Sequence, residues 1–102
     1  MSSFEGLNAA FEHRVRLGIA VLLARHGEIS FAGFKRELGL TDGNLGAQLR
    51  RLEDDGYLQL RRDFADRKPV TWYTLSAQGV QALETHLKAL RALISGADAA
   101  QQ

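Results

Sequence analysis

The chain has 102 residues, 45% hydrophobic and 25% charged, with a formal net charge of +1. A single domain of this size buries roughly 60–70% of its unfolded surface, enough for a modest core without staples. With no cysteine, disulfides and thiolate metal sites are excluded. The start Met1-Ser2-Ser3-Phe4-Glu5 lacks the basic opening of a signal peptide. The longest apolar run, Ile19 to Ala24, falls far short of the ~20 residues that span a bilayer. A cytoplasmic location with no membrane partner is therefore expected, and any electrostatic function must come from where the charges sit.

Residues 7–25 are mostly helix formers, with Leu7, Phe11, Val15, Ile19, Leu22 and Leu23 at helical spacing and Gly27 as a stop. The pattern leaves open whether this helix breaks near Glu12-His13. Glu28-Ile29-Ser30 has room for a minimal strand only. Ser30 is placed to cap a short helix whose Phe31, Phe34 and Leu38 share one face, and which ends at Gly39. Thr41 reads as the next N-cap, with Asp42 in the first turn, where the helix dipole favours an acid. Leu45, Leu49 and Leu52 then make a narrow inward stripe, and Gly56 ends the element. Leu58–Arg62 and Val70–Leu75 read as the strands of a hairpin joined by a polar loop. Ser76 caps a last helix to about Ser95, and the small, polar tail from Gly96 to Gln102 is expected to fray.

Helix, minimal strand, helix, helix, strand, strand, helix is the order of a winged helix-turn-helix, mainly α with a three-stranded sheet. The expected division is one domain over 1–102: a core over 7–75, a dimerisation helix over 76–95 and a tail over 96–102.

The helix from Thr41 to Asp55 carries the first candidate site. With its leucines inward, Gly43, Ala47, Arg50 and Asp54 lie on the opposite face, flanked by Asn44, Gly46 and Arg51. Arg and Asn pair bidentately with guanine and adenine edges in the major groove. Glycine inside an exposed helix costs about 1 kcal/mol against alanine, so Gly43 and Gly46 call for a reason such as close approach of a groove wall. The plainer reading is a solvated helix face with two indifferent glycines; the short helix and Gly39 turn ahead of it favour the groove.

The hairpin is the second site. Arg61, Arg62, Arg67 and Lys68, interleaved with Asp63 and Asp66, give cations on a protruding turn that reach phosphates or the minor groove. One phosphate for each of these four per subunit of a dimer implies a log–log salt slope of about −7. The third site is the last helix. Val80, Leu83, Leu87, Leu90 and Ile94 follow the seam spacing of a helix pair. With Phe4, Leu7 and Phe11 they are expected to bury against a second copy of the chain, the alternative being packing within one subunit. His13, His26 and His86 are dispersed and read as solvated or capping rather than as metal ligands. No cofactor is expected, and nothing resembles a nucleophile cluster or phosphate loop, which argues against an enzyme.

On RVRLGIAVLL, FAGFKRELGLTDGNLGAQLRRLEDDGYL and DRKPVTWYTLSAQG, from about Leu7 to Ile94, the chain resembles the winged-helix DNA-binding domains of MarR- and ArsR-like bacterial and archaeal transcriptional regulators. The resemblance implies that Thr41–Asp55 is the recognition helix, that Asn44, Gly46, Ala47, Gln48 and Arg50 face bases or phosphates, and that Asp66, Arg67 and Lys68 form the wing tip. The wheel itself places Gln48 nearer the inward stripe. Gly46 and Ala47 stand where many such proteins carry larger or polar side chains, so part of any specificity is expected from DNA shape. The expected function is a homodimeric, sequence-specific regulator of transcription that binds double-stranded DNA; a protein-docking winged helix without DNA binding is the alternative. The sequence names no small-molecule effector.

Overall fold

The computed structural model describes residues 4–100, with side chains to 96. A 3-10 turn, Ala9–Phe11, precedes α1 (Arg14–His26), β1 (Ile29–Ser30), α2 (Phe31–Leu38), α3 (Asp42–Asp54), β2 (Leu58–Ala65), β3 (Lys68–Leu75) and α4 (Ala77–Ala100). The break near Glu12-His13 is real. Asn8 caps the 3-10 turn through the Ala10 N–H, and Nδ1 of His13 then accepts from Val15 to start α1.

The caps read from the sequence hold. Ser30 accepts from the Gly33 N–H and Thr41 from the Asn44 N–H, while Gly39 closes α2 in the left-handed conformation with φ 63°. Lys35 and Asp42 form an ion pair across the turn between α2 and α3. These local contacts fix how α3 leaves α2, which determines the face it offers to solvent.

The three strands run antiparallel in the order β1-β3-β2. Helices and sheet meet in one core built on Phe11, Ile19, Leu23, Phe34, Leu45 and Leu52, all fully buried. Phe11 stacks on Tyr57 at 5.5 Å and Phe34 meets Tyr73 edge-on at 6.0 Å, arrangements that aromatic quadrupoles favour.

Two expectations are corrected. The polar loop between Arg62 and Val70 is strand instead: pairing continues through Asp63↔Val70 and Phe64↔Pro69 to Ala65↔Lys68. Only Asp66 and Arg67 form the turn, with φ of 52° and 66°, the two positive angles whose twist suits a two-residue hairpin. Pro69 is tolerated because β1 pairs only with Trp72 and Tyr73, so that end of β3 has one open edge. The tail is the second correction, since α4 continues through Gly96 to Ala100; residues 101–102 lie outside the described part. At 24 residues the helix is about 36 Å long. Among the described residues no helix is long and apolar enough to cross a membrane.

Candidate nucleic-acid interface

Burying Leu45, Leu49 and Leu52 leaves Gly43, Asn44, Ala47, Arg50, Arg51 and Asp54 exposed on α3. An added Cβ at Gly43 or Gly46 would meet nothing within 4 Å. Neither glycine is needed by the fold, which leaves a flat strip on the outer side of the helix.

The charged residues of this face divide into free and engaged. Among the described residues Arg50 makes no side-chain hydrogen bond or ion pair, whereas Nε of Arg51 donates to Asp55 at 3.0 Å, one turn along the same helix. Gln48 is half-buried and does not face outward with Arg50. It turns to α1, where its Oε1 accepts from Nη1 of Arg16 at 2.8 Å, and its Nε2 donates to Oδ1 of Asn44 at 3.3 Å. The resemblance put Gln48 at the surface; the inward lean of the wheel was the better guide.

The wing divides in the same way. Side chains alternate across a strand, so Leu58, Leu60, Arg62 and Phe64 share the face that buries the core, and Arg61 points to the other. There Arg61 donates to Glu28 and to Asp63, each at 2.9 Å, and its guanidinium lies 5.7 Å from the Trp72 ring centroid. These two carboxylate bonds raise the Arg61 pKa further. The Phe64 N–H, and then Arg61, hold the Asp63 carboxyl below the usual range. Arg61 is therefore paired with two carboxylates within the fold, which sets it apart from the other cations of the wing. Arg62, Arg67 and Lys68 are exposed and make no ion pair or side-chain hydrogen bond among the described residues. Exposed surface pairs contribute little to stability, so what matters at Arg61 is the cancelled charge.

Two participants were not read from the sequence. Arg16 sits in an otherwise apolar run of α1, and that interruption was its signal. Phe64, 73% exposed, falls within the segment expected to be a loop; the alternation Leu58, Leu60, Arg62, Phe64 is that of a continuing strand.

The third site is divided as well. Phe11 and Leu83 belong to the core of their own subunit and offer no surface to a second copy. Leu87 packs partly against that core. Val80 and Ile94 are exposed, Leu7 and Leu90 half-buried, and Phe4 exposed at the start of the segment that runs beside Ala89. His86, read as solvated or capping, is buried. Among the described residues no three His, Asp or Glu side chains are placed to hold a metal ion.

Comparison with known proteins agrees with this architecture. A family model described as winged helix DNA-binding domain matches residues 15–94. An uncharacterized HTH-type transcriptional regulator of Bacillus subtilis, YwhA, is 31% identical over 84 residues, covering 82% of this chain and 60% of that protein. The chain thus spans less than two thirds of that relative. Among solved structures, the transcriptional regulator homologue from Pyrococcus horikoshii OT3 superposes with a TM-score of 0.81 at 32% identity, covering 87% of this chain and 88% of that one. The transcriptional repressor BigR from Xylella fastidiosa gives 0.62 at 26% identity, covering 74% and 72%. All three carry the names of transcriptional regulators rather than of enzymes. This chain belongs to the winged-helix DNA-binding domain family.

Proposed function

We propose that the chain acts as a homodimeric regulator of transcription that binds double-stranded DNA by sequence. The observation that carries this reading is the outer strip of α3, small at Gly43, Gly46 and Ala47 and cationic at Arg50, with none of the described residues covering it. Each recognition helix lies in a major groove, with half-sites about 34–36 Å apart on a near-palindrome. Arg50 and Asn44 reach base edges. Arg62, Arg67 and Lys68 hold the backbone or enter the minor groove, Arg67 from the tip of the turn. Dimerisation uses the end of α4, where Leu90, Leu93 and Ile94 lie beyond the reach of the core. The location expected for such an activity is the cytoplasm, and all 102 residues work as one domain.

Fluorescence anisotropy on genomic fragments across a salt series tests the reading. With Arg61 neutralised, three cations per subunit imply a log–log slope of about −5, not the −7 that four would give. A flat response, or no retained fragment at low salt, would replace DNA binding by protein docking.

A further inference from the structure

Arg16 is the only residue of α1 whose side chain is fastened to α3 among the described hydrogen bonds. Its Nε donates to the Ala10 carbonyl at 2.7 Å and its Nη2 reaches the Ala9 carbonyl at 3.5 Å. Both acceptors belong to the 3-10 turn ahead of α1, so the guanidinium is anchored at its root. The remaining arm, Nη1, donates to Oε1 of Gln48 at 2.8 Å.

A guanidinium has donors and no acceptor. The atom of Gln48 that faces it must be the amide oxygen, so the amide nitrogen faces the other way. That nitrogen needs an acceptor, and Oδ1 of Asn44 supplies it at 3.3 Å. The polarity of the Asn44 amide follows by the same logic. Its oxygen turns along the helix towards Gln48, while its NH2 has no partner among the described residues and faces solvent on the exposed side of α3.

Resting on the DNA-binding reading above, we propose that Arg16 acts through Gln48 as a positioning residue that makes Asn44 a donor in the groove. An unconstrained asparagine offers donor and acceptor together and suits adenine, which presents N7 and the N6 amino group. Asn44, with its oxygen engaged, offers two N–H groups. These match an acceptor-only edge, guanine N7 and O6 first and thymine O4 second. Arg16 touches no DNA; it selects which end of an amide meets the base.

Selection from a randomised duplex library, with the wild type and the variants Gln48→Glu, Arg16→Met and Asn44→Ala, tests this. In Gln48→Glu the carboxylate still accepts from Arg16 but can no longer donate. Asn44 then turns its NH2 towards that carboxylate and its oxygen outward. The preference at one base pair per half-site should move from guanine to adenine or cytosine by about tenfold, within the range of one base contact. The extra negative charge weakens all sequences alike and drops out of the ratio. Arg16→Met should flatten the preference at that same pair and leave the others intact, and Asn44→Ala should identify the pair. Thermal unfolding of each variant separates readout from folding, and Gln48→Glu keeps the Arg16 bond should Arg16→Met fail to fold. Unchanged base ratios in Gln48→Glu, or a wild-type preference for adenine at the Asn44 pair, would overturn the inference while DNA binding stood. A wild type that enriches no sequence would remove the DNA-binding reading and this inference with it.

Discussion

The backbone N–H of Asn8 donates to Nδ1 of His86 at 3.0 Å, joining the segment ahead of α1 to the middle of α4. His86 is 3% exposed, beside the Phe11 ring at 5.6 Å. Only the neutral imidazole has a lone pair on Nδ1 to accept this bond. Burial lowers the His86 pKa, and the Glu12 carboxylate works in the opposite direction with the smaller effect.

The pH dependence follows from that direction. Below the ordinary histidine pKa of about 6.5, the unfolded chain binds a proton that the folded chain still refuses. Stability is therefore full above that pH and falls as pH drops through the lowered folded value. Urea unfolding at pH 7.5, 6 and 5 should show this decline. In His86→Gln, whose amide oxygen can accept from Asn8 without titrating, the decline should be shallower. Equal slopes in the two proteins would assign the acid sensitivity elsewhere.

Arg67 holds φ at 66° in the tip of the wing, where a non-glycine residue costs on the order of 1 kcal/mol or more. A turn selected for stability alone would carry glycine there. Arg67→Gly should therefore raise stability by about 1 kcal/mol while weakening DNA binding. One cation fewer per subunit should make the salt slope shallower by about 2. Arg61→Ala, by contrast, should leave the slope unchanged. Anisotropy at several salt concentrations, set beside thermal melts, checks both.

Gly79 and Gly46 should respond in opposite ways to alanine. A Cβ at Gly79 would stand 2.2 Å from the Tyr57 carbonyl oxygen. That carbonyl already accepts from the Ser76 N–H at 3.0 Å, and the Ser76 hydroxyl donates to the Gly56 carbonyl at 2.7 Å. The start of α4 cannot retreat without breaking this clasp, so Gly79→Ala should cost about 3 kcal/mol. Gly46→Ala meets nothing and should gain up to about 1 kcal/mol. If the groove wall comes close at Gly46, the same substitution should lower DNA affinity by roughly tenfold. Unchanged affinity in a stabilised protein would show that the glycine serves no close approach.

What could be read from the sequence was what short-range chemistry determines. Ser30, Thr41 and Ser76 each cap a helix through a backbone N–H three residues on, and Gly39 ends one because left-handed backbone suits it. The leucine stripe of α3 gave its outer face by subtraction. Long-range pairing was less visible. By sequence Arg61 is one of four wing cations, and only the fold brings Glu28 beside it; Arg16 gains its partner Gln48 only where α1 meets α3. Phe11 and Leu83 fit a helix-pair seam as well as a core, and spacing alone cannot say whether the partner helix lies in the same chain. The strands of the wing run longer than the composition suggests, because Asp63, Asp66 and Pro69 are turn formers while the alternation beneath them is that of a strand.

Dimerisation is tested where α4 leaves its own core. Leu83 and Leu87 contact that core, but Leu90 is half-buried and Ile94 is 53% exposed. Leu90→Glu and Ile94→Glu together put charges on the proposed seam without removing a core side chain. Burying them against a second copy would desolvate like charges across the two-fold axis. Light scattering should then give the mass of one chain in place of two, with the helical circular dichroism retained. DNA affinity should fall steeply, since two tethered half-site contacts become independent events. Leu83→Ala is the contrasting variant. It opens a cavity inside the subunit, should cost 2–5 kcal/mol on the usual scale for such truncations, and should lower the melting temperature of the monomeric double variant as well. If instead the double variant keeps the mass of two chains, the seam lies elsewhere, and the apolar end of α4 needs another occupant.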